Sequence, residues 1–255
     1  MTLTDTHTHL YLDAFDDDRN EVVQNAIDKG IKYMLLPNID STSRKGMLKL
    51  CKQFPDNCFP MMGLHPTSVK ENYKEELALV EKELETGKYI AVGEIGMDLY
   101  WDKTFQKEQK EAFQQQIRLA LKHDLPIAIH QRDSYEEIME AMEEMDTSGL
   151  TGVFHCFTGT REQAGKIIGM GFFLGIGGVL TFKNSKLEQV IKGIDLKHII
   201  LETDSPFLAP VPYRGKRNES TYVRLVANKL AEVKEMDVEE VAEQTTINAK
   251  KIFNF

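Results

Sequence analysis

The sequence predicts an α/β fold, a single TIM-like (β/α)8 barrel with an additional C-terminal helix. Short apolar runs alternate with longer amphipathic segments along all 255 residues, and eight such pairs can be counted. Parallel strands require a helical crossover, so this alternation predicts a parallel sheet. Eight strand–helix units in about 250 residues are typical of a closed barrel.

The elements follow one another in a regular order. The predicted strands cover residues 2–9, 31–38, 58–65, 89–94, 126–130, 152–155, 172–176 and 199–204. The predicted helices cover residues 19–29, 41–53, 75–86, 105–123, 134–145, 161–170, 185–192 and 221–235, and a ninth runs from Asp237 toward Lys251. The helix over 105–123 has Phe113 and Ile117 at helical spacing and Thr104 as its expected cap.

We expect one domain over residues 1–255, because no Pro/Gly/Ser-rich linker and no internal repeat interrupts the pattern. The alternative is an open, doubly wound sheet. The glycine fingerprint G-x-G-x-x-G that often accompanies that fold does not follow the first strand. The barrel is therefore the favoured interpretation.

Composition narrows the function class and the compartment. Lys and Arg number 31 against 40 Asp and Glu, a formal charge of −9 that disfavours binding nucleic acid through bulk positive charge. The apolar runs are too short to span a bilayer, and the first residues lack the features of a signal peptide. Three scattered cysteines give no disulfide framework. We expect a cytoplasmic protein with no membrane association and no obligate protein partner.

Histidines and carboxylates collect at the predicted carboxyl ends of the strands. In a parallel barrel these ends share one rim, and active sites lie there. In chain order the residues are His7 and His9, His65, Glu94, His130, His155, and Glu202 with Asp204. The sequence therefore predicts one polar centre built from residues distant along the chain.

A metal site explains this centre better than separate structural roles. A lone buried histidine is more often a hydrogen-bonded core residue, and a carboxylate at a strand end often caps the next helix. However, converging imidazoles and carboxylates are costly to bury without cations. The expected metal ligands are His7, His9, Glu94, His130, His155 and Asp204.

Six ligands are too many for one tetrahedral zinc but fit two cations. We assign His7, His9 and Asp204 to one metal, His130 and His155 to the other, and Glu94 to both as a bridge. Imidazole with carboxylate suits Zn, Mn, Fe or Co, and a more oxygen-rich shell suits Mg or Ca. The expected cofactors are two divalent cations per subunit, Mg, Mn or Zn.

A proline-rich loop follows Asp204 and carries Arg214, Lys216 and Arg217. Three cations within four residues at the rim of an acidic protein indicate an anionic substrate. The alternative is a solvated loop whose cations pair with nearby acids. His65 could donate a hydrogen bond to a substrate phosphate or only bond within the site, and both interpretations stay open.

Seven motifs together resemble the TatD family of metal-dependent deoxyribonucleases. They are Asp5-Thr6-His7-Thr8-His9-Leu10, Gly63-Leu64-His65-Pro66, Gly93-Glu94-Ile95-Gly96-Met97-Asp98, Ile129-His130-Gln131-Arg132, His155-Cys156-Phe157-Thr158-Gly159, Glu202-Thr203-Asp204-Ser205-Pro206 and Arg214-Gly215-Lys216-Arg217-Asn218-Glu219. The resemblance implies a TIM-like barrel of the metal-dependent hydrolase superfamily and divalent-cation-dependent cleavage of DNA, often from 3′ to 5′. The metal ligands that it implies fall on the same six residues as the strand-end argument.

The expected function is therefore hydrolysis of DNA phosphodiesters at a dinuclear metal site that activates water. Asp204 and Glu94 carry the chemistry, with Glu202 as a helper, and His65, Arg214, Lys216 and Arg217 contact the substrate. The expected partner is DNA that is single-stranded or has a free 3′ end. One alternative is ester hydrolysis, such as deacylation of D-aminoacyl-tRNA, and another is a non-catalytic scaffold protein.

Overall fold

The computed structural model of the chain describes residues 1–255 and confirms the predicted fold class, with eight parallel strands that alternate with helices. The strands are β1 Leu3–Asp5, β2 Ile31–Pro37, β3 Cys58–Met61, β4 Val92–Asp98, β5 Ile127–Arg132, β6 Gly152–Phe154, β7 Phe173–Ile176 and β8 Ile199–Leu201. The helices are α1 Arg19–Asp28, α2 Ser41–Gln53, α3 Tyr73–Leu84, α4 Gln106–His123, α5 Tyr135–Glu143, α6 Arg161–Gly169, α7 Leu187–Lys192, α8 Val223–Lys234 and α9 Val238–Phe253. None of these helices combines the length and apolar character needed to cross a bilayer.

The strands close into a barrel. Hydrogen bonding follows chain order within two groups, β1 to β3 and β4 to β8. A bridge between Met62 and Val92 joins the groups at one seam, and a bridge between Thr8 and Ser205 joins them at the other. This closure distinguishes the fold from the open sheet that was the alternative.

Two apolar layers hold the barrel together. Alternate residues of a strand point to opposite faces, so Met34 and Leu36 of β2 pack outward against the helices while Leu35 joins a separate inner cluster. Ala249 and Phe253 of α9 belong to that inner cluster. The C-terminal helix therefore closes the amino end of the barrel, opposite the polar rim.

The rim differs from the sequence prediction at several strands. β3 ends at Met61 and β8 at Leu201, so His65, Glu202 and Asp204 lie beyond their strands and not within them. β1 ends at Asp5 instead of His9, because the backbone beyond it bonds across the seam, where the His9 amide donates to the Ser205 carbonyl at 2.7 Å. β4 begins and ends later than predicted, so Glu94 lies inside the strand next to a register irregularity. His7 and His9 thus lie in the loop that follows β1 at the closing seam, and their side chains face Glu94.

The predicted cap of α4 was also wrong. The helix begins at Gln106, and Phe105 precedes it without a side-chain cap. The backbone amide of Thr104 instead donates to Asp102 at 2.8 Å, within the loop that leads into the helix. The helix start is stabilised by this turn rather than by a threonine hydroxyl.

Two buried glutamines of α4 hold the rim segments in place. Gln116 accepts a hydrogen bond from the Leu64 amide at 2.7 Å and donates to the Leu64 carbonyl at 3.2 Å. Gln109 makes the same pair of bonds with the backbone of Asp98, at 2.9 and 3.3 Å. Because seven residues are two helical turns, one face of α4 positions both segments.

Replacing Gln116 with Ala should destabilise the protein by about 1–3 kcal/mol, because it leaves two buried backbone groups of Leu64 without partners. The neighbouring Gln115→Ala variant, which loses no such pair, should stay within about 0.5 kcal/mol of the parent. Urea unfolding of both variants measures the difference. Equal stabilities would contradict the assignment of this clamp.

Candidate metal centre

The carboxylate of Glu94 lies at the middle of the polar rim and is almost completely buried. Its Oε2 atom faces the first pair of histidines, with His7 Nε2 at 3.1 Å and His9 Nε2 at 3.5 Å. Asp204 Oδ1 lies on the same side, 3.5 Å from His9 Nε2 and 3.9 Å from His7 Nε2. These four side chains form the first group of donors.

The other oxygen of Glu94 faces the second group. Oε1 lies 2.7 Å from His130 Nδ1, 2.9 Å from His155 Nε2 and 3.3 Å from His65 Nε2. The rings of His7 and His155 stack at 3.8 Å, which brings the two groups into contact. One carboxylate therefore has a separate set of imidazoles at each oxygen.

Both acids at the centre are held in the charged form. Burial alone raises the pKa of Glu94, but the facing imidazoles of His65 and His155 outweigh it and hold that pKa well below its usual value. Burial opposes ionisation of Asp204 too, and its bond to His9 and the nearby imidazoles lower its pKa. Ionised carboxylates beside clustered imidazoles form a donor set that suits divalent cations.

The donor atoms also lie close enough together to share cations. Ligand atoms of His7, His9 and Glu94 lie within 4.8 Å of one another, as do those of His7, His155 and Asp204, and those of His65, Glu94 and His130. The structure brings together all six residues that the sequence proposes as ligands, and His65 joins them. The imidazoles at the two oxygens of Glu94 follow the proposed division, but the group of His7, His155 and Asp204 crosses it, so the division into two metal positions stays a prediction.

For His9 and His65, the contact of Nδ1, which faces away from Glu94, determines whether Nε2, which faces Glu94, carries a proton or a lone pair. Tyr11 donates its hydroxyl proton to the Pro37 carbonyl, so its oxygen accepts from His9 Nδ1 at 2.8 Å and leaves a lone pair on His9 Nε2. At His65, Nδ1 accepts from the Thr67 amide at 3.1 Å, which places the proton on Nε2. The geometry thus leaves a lone pair on His9 Nε2 and a proton on His65 Nε2, both facing Glu94.

Glu202 lies behind His155 and does not face Glu94. Its Oε1 atom is 3.3 Å from His155 Nδ1 and accepts from the Cys156 amide at 2.6 Å. A Cβ atom at Gly175 would lie 2.3 Å from Oε2 of Glu202, so a residue without a side chain is needed there to leave room for this carboxylate. Glu202 therefore contacts His155 Nδ1 without a hydrogen bond, and its role as a helper stays a prediction.

The predicted cationic residues of the loop after β8 have different surroundings. The guanidinium of Arg214 lies 4.0 Å from the ring centroid of Phe182. Lys216 is exposed. Arg217 forms ion pairs with Asp18 at 2.6 Å and Glu219 at 3.2 Å, which hold the loop against α1. Arg217 is therefore engaged within the fold, whereas the side chains of Arg214 and Lys216 are exposed.

Several side chains near the centre were not among the predicted site residues. Tyr11 and Asp98 contact the outer nitrogens of His9 and His130. Trp101 is exposed beside Tyr100, and the Arg132 guanidinium lies 4.0 Å from the Tyr100 ring. The spacing of His9 and Tyr11 by two residues was a usable signal, whereas nothing local marks Asp98 as a neighbour of His130.

A closed (β/α)8 barrel with buried histidines and carboxylates at its carboxyl rim defines a metal-dependent hydrolase. Comparison with known proteins gives the particular family. The family model described as TatD related DNase matches residues 4–254. The chain belongs to the TatD family.

Relatives agree with this assignment along nearly the full length. The metal-dependent hydrolase YabD of Bacillus subtilis is 39% identical, over 98% of each chain. The protein of Erwinia tasmaniensis named 3′-5′ ssDNA/RNA exonuclease TatD is 29% identical, over 98% of this chain and 99% of its own. The crystal structure of YjjV, a TatD homologue from Escherichia coli, superposes with a TM-score of 0.93 at 27% identity, covering 99% of this chain and 98% of that one.

Divalent cations should stabilise the folded protein through this centre. A cation at 100 times its Kd adds about 2.7 kcal/mol, which for a chain of this size raises Tm by roughly 5–10 °C. Glu94→Gln removes the ligand shared by both groups, so its Tm difference between Mn²⁺ and EDTA should be less than half that of the parent.

The matched control is Glu162→Gln, which changes an exposed acid of α6. Differential scanning calorimetry in Mn²⁺ and in EDTA measures both variants. An undiminished Mn²⁺ shift in Glu94→Gln would place the cations elsewhere.

Proposed function

We propose that this protein is a divalent-metal-dependent deoxyribonuclease that removes nucleotides from the 3′ end of single-stranded DNA. The observation that carries the proposal is an exposed aromatic surface beside the metal centre. The name of the Erwinia tasmaniensis relative, a 3′-5′ ssDNA/RNA exonuclease, supports the same class of substrate. The seven sequence motifs of the TatD family support it as well.

The aromatic surface consists of Tyr100 and Trp101, in the loop after β4. Trp101 is 71% exposed and Tyr100 is 52% exposed, although both are large and partly apolar. Their ring centroids lie 4.8 Å apart in an edge-to-face arrangement. The guanidinium of Arg132 lies over both rings, 4.0 Å from the Tyr100 centroid and 5.2 Å from the Trp101 centroid. Exposed aromatic rings with a stacked arginine are the usual means of binding unpaired bases.

This surface is joined to the centre by short lengths of chain. Asp98, which bonds His130, precedes Trp101 by three residues, and Arg132 follows His130 by two. On another side of the centre, Phe207 is 51% exposed and its ring lies 6.2 Å from that of His9. A base can therefore stack at the rim while its phosphate lies over the metal ligands.

Hydrogen-bond donors and cations are also available for the phosphate. His65 directs an Nε2 proton toward the centre, and burial lowers the pKa of His65, which keeps the ring neutral. Arg214 and Lys216 are exposed on the loop that follows Asp204. These groups supply the positive potential that the acidic protein lacks as a whole.

The chain's own residues account for the reaction as follows. Bound divalent cations supply Lewis acidity to the phosphoryl oxygens and make water more acidic. Asp204, ionised and less buried than Glu94, accepts the proton of the attacking water. The water oxygen bonds to phosphorus, and the bond from phosphorus to the 3′ oxygen of the penultimate nucleotide breaks. That 3′ oxygen takes up a proton from solvent, and the terminal nucleotide leaves as a 5′-mononucleotide. His65 stabilises the charge that develops on the phosphoryl oxygens.

Replacing Asp204 with Asn should lower kcat/KM on single-stranded DNA by about 10²–10⁴-fold, because it removes the proton acceptor. The Glu162→Gln variant should keep full activity. DNA labelled at its 5′ end should shorten stepwise with release of 5′-mononucleotides. The same assay on RNA and on D-aminoacyl-tRNA completes the comparison; deacylation without DNA cleavage would overturn the proposal in favour of an esterase.

Replacing Trp101 with Ala should raise KM on single-stranded DNA about tenfold and leave kcat within about threefold, because base stacking contributes about 1–3 kcal/mol. Trp101→Phe keeps an aromatic ring and should recover most of the loss. With an oligonucleotide whose 3′-terminal sites are abasic, parent and Trp101→Ala should have the same KM. An equal effect on the abasic substrate would contradict stacking.

A further inference from the structure

The ring of His130 lies between two carboxylates. Its Nδ1 atom is 2.7 Å from Glu94 Oε1, and its Nε2 atom is 2.9 Å from Asp98 Oδ2. Nδ1 therefore points into the metal centre, whereas Nε2 points away from it. Asp98 is 2% exposed, so no bulk water competes for this second contact.

Both oxygens of Asp98 act as acceptors. Oδ2 faces His130, and Oδ1 accepts from the backbone amide of Tyr100 at 3.1 Å. A backbone amide can only donate, so Oδ1 must be an acceptor and Oδ2 is the oxygen left for His130. Gln109 bonds the backbone of Asp98 on both sides, at its amide and its carbonyl. The acid is held in place independently of His130.

We propose that Asp98 is a positioning residue that fixes the proton of His130 on Nε2, so that Nδ1 presents a lone pair to a cation. This inference rests on the metal centre of the proposed function. A ring that binds a cation through Nδ1 must keep its remaining proton on Nε2, and Asp98 is the only acceptor the structure places there. A carboxylate behind a ligating histidine also increases the basicity of the ring.

The other rings show that this arrangement is specific to one side. His9 has the neutral hydroxyl of Tyr11 behind it, and His7 Nδ1 is buried without a partner. His130 has Asp98 behind it at hydrogen-bond geometry, whereas Glu202 lies 3.3 Å from His155 Nδ1 without forming a hydrogen bond. Carboxylates therefore lie behind the rings on the His130–His155 side of Glu94, and only His130 is hydrogen-bonded to the one behind it.

The Asp98→Asn variant is the sharpest test of the proton's position. Asparagine keeps one oxygen, and the Tyr100 amide requires it, so the NH₂ group must face His130 Nε2. The asparagine NH₂ group and the Nε2 proton of His130 are then both donors and repel each other. The ring avoids this only by carrying its proton on Nδ1, which removes the lone pair that would bind the cation. In Asp98→Ala, by contrast, water can accept the Nε2 proton. Asn should therefore impair metal binding more than Ala does.

Titration calorimetry of the full chain with Mn²⁺, without substrate, measures this effect. Asp98→Asn should weaken the affected cation by at least tenfold, the range found for partners of metal-ligating histidines, and Asp98→Ala by less. The control Asp102→Asn alters an exposed acid of the same loop, which bonds the Thr104 amide, and should bind as the parent does. Unfolding in EDTA verifies that each variant is folded.

Nitrogen NMR of the Zn²⁺-loaded parent gives a second, independent readout. We expect His130, assigned by its loss in His130→Gln, to carry its proton on Nε2 and to bind through Nδ1. The proposal would be overturned if His130 bound the cation through Nε2. It would also be overturned if Asp98→Asn bound Mn²⁺ within twofold of the parent, or if Asp98→Ala lost as much affinity as Asp98→Asn. None of these measurements uses DNA, so the inference and the nuclease proposal fail separately.

Discussion

The burial of the Glu94 carboxylate among imidazoles is the interaction on which the rest of this structure depends. An ionised carboxylate in a protein interior is costly by several kcal/mol unless opposite charges and hydrogen bonds surround it. Here five histidines and Asp204 share its pocket, and removing solvent from all of them together is unfavourable without cations. A centre of this kind is built for metal ions and not for the stability of the chain alone.

The barrel supplies the rigidity that such a centre requires. The seam loops of β1 and β8 bond each other, since the Asp204 amide donates to the His7 carbonyl at 2.9 Å. Asp5 supports the same seam by accepting from the Thr203 amide at 2.9 Å, and burial raises the pKa of Asp5 to about 7. With α9 closing the opposite end, stability and chemistry occupy different ends of the fold.

The sequence was sufficient to predict the class of fold and the composition of the centre. Alternating apolar runs depend on local periodicity, and parallel strands bring their carboxyl ends together, so residues as distant as His7 and Asp204 could be grouped. The extent of β1 could not be predicted, because it depends on hydrogen bonds across the closing seam. The structure places imidazoles at both oxygens of Glu94, and the role of Glu94 as a ligand shared by two cations stays a prediction.

The partners of individual atoms were beyond sequence reasoning. Asp98 reaches His130 only because β4 and β5 pair in one particular register, with Gly96 opposite His130. Arg217 lies in the loop that was expected to contact substrate, yet its charge is neutralised by Asp18 of the segment before α1. Such pairings decide which side chains are available to a ligand, and they follow from packing and not from spacing along the chain.

Anomalous diffraction from a crystal soaked in Mn²⁺ tests the central claim most directly, because it locates cations without reference to activity. The account predicts two peaks, one beside each oxygen of Glu94, with His7, His9 and Asp204 around the first and His130 and His155 around the second. Peaks remote from Glu94, or none at saturating Mn²⁺, would contradict the claim that cations hold these side chains together.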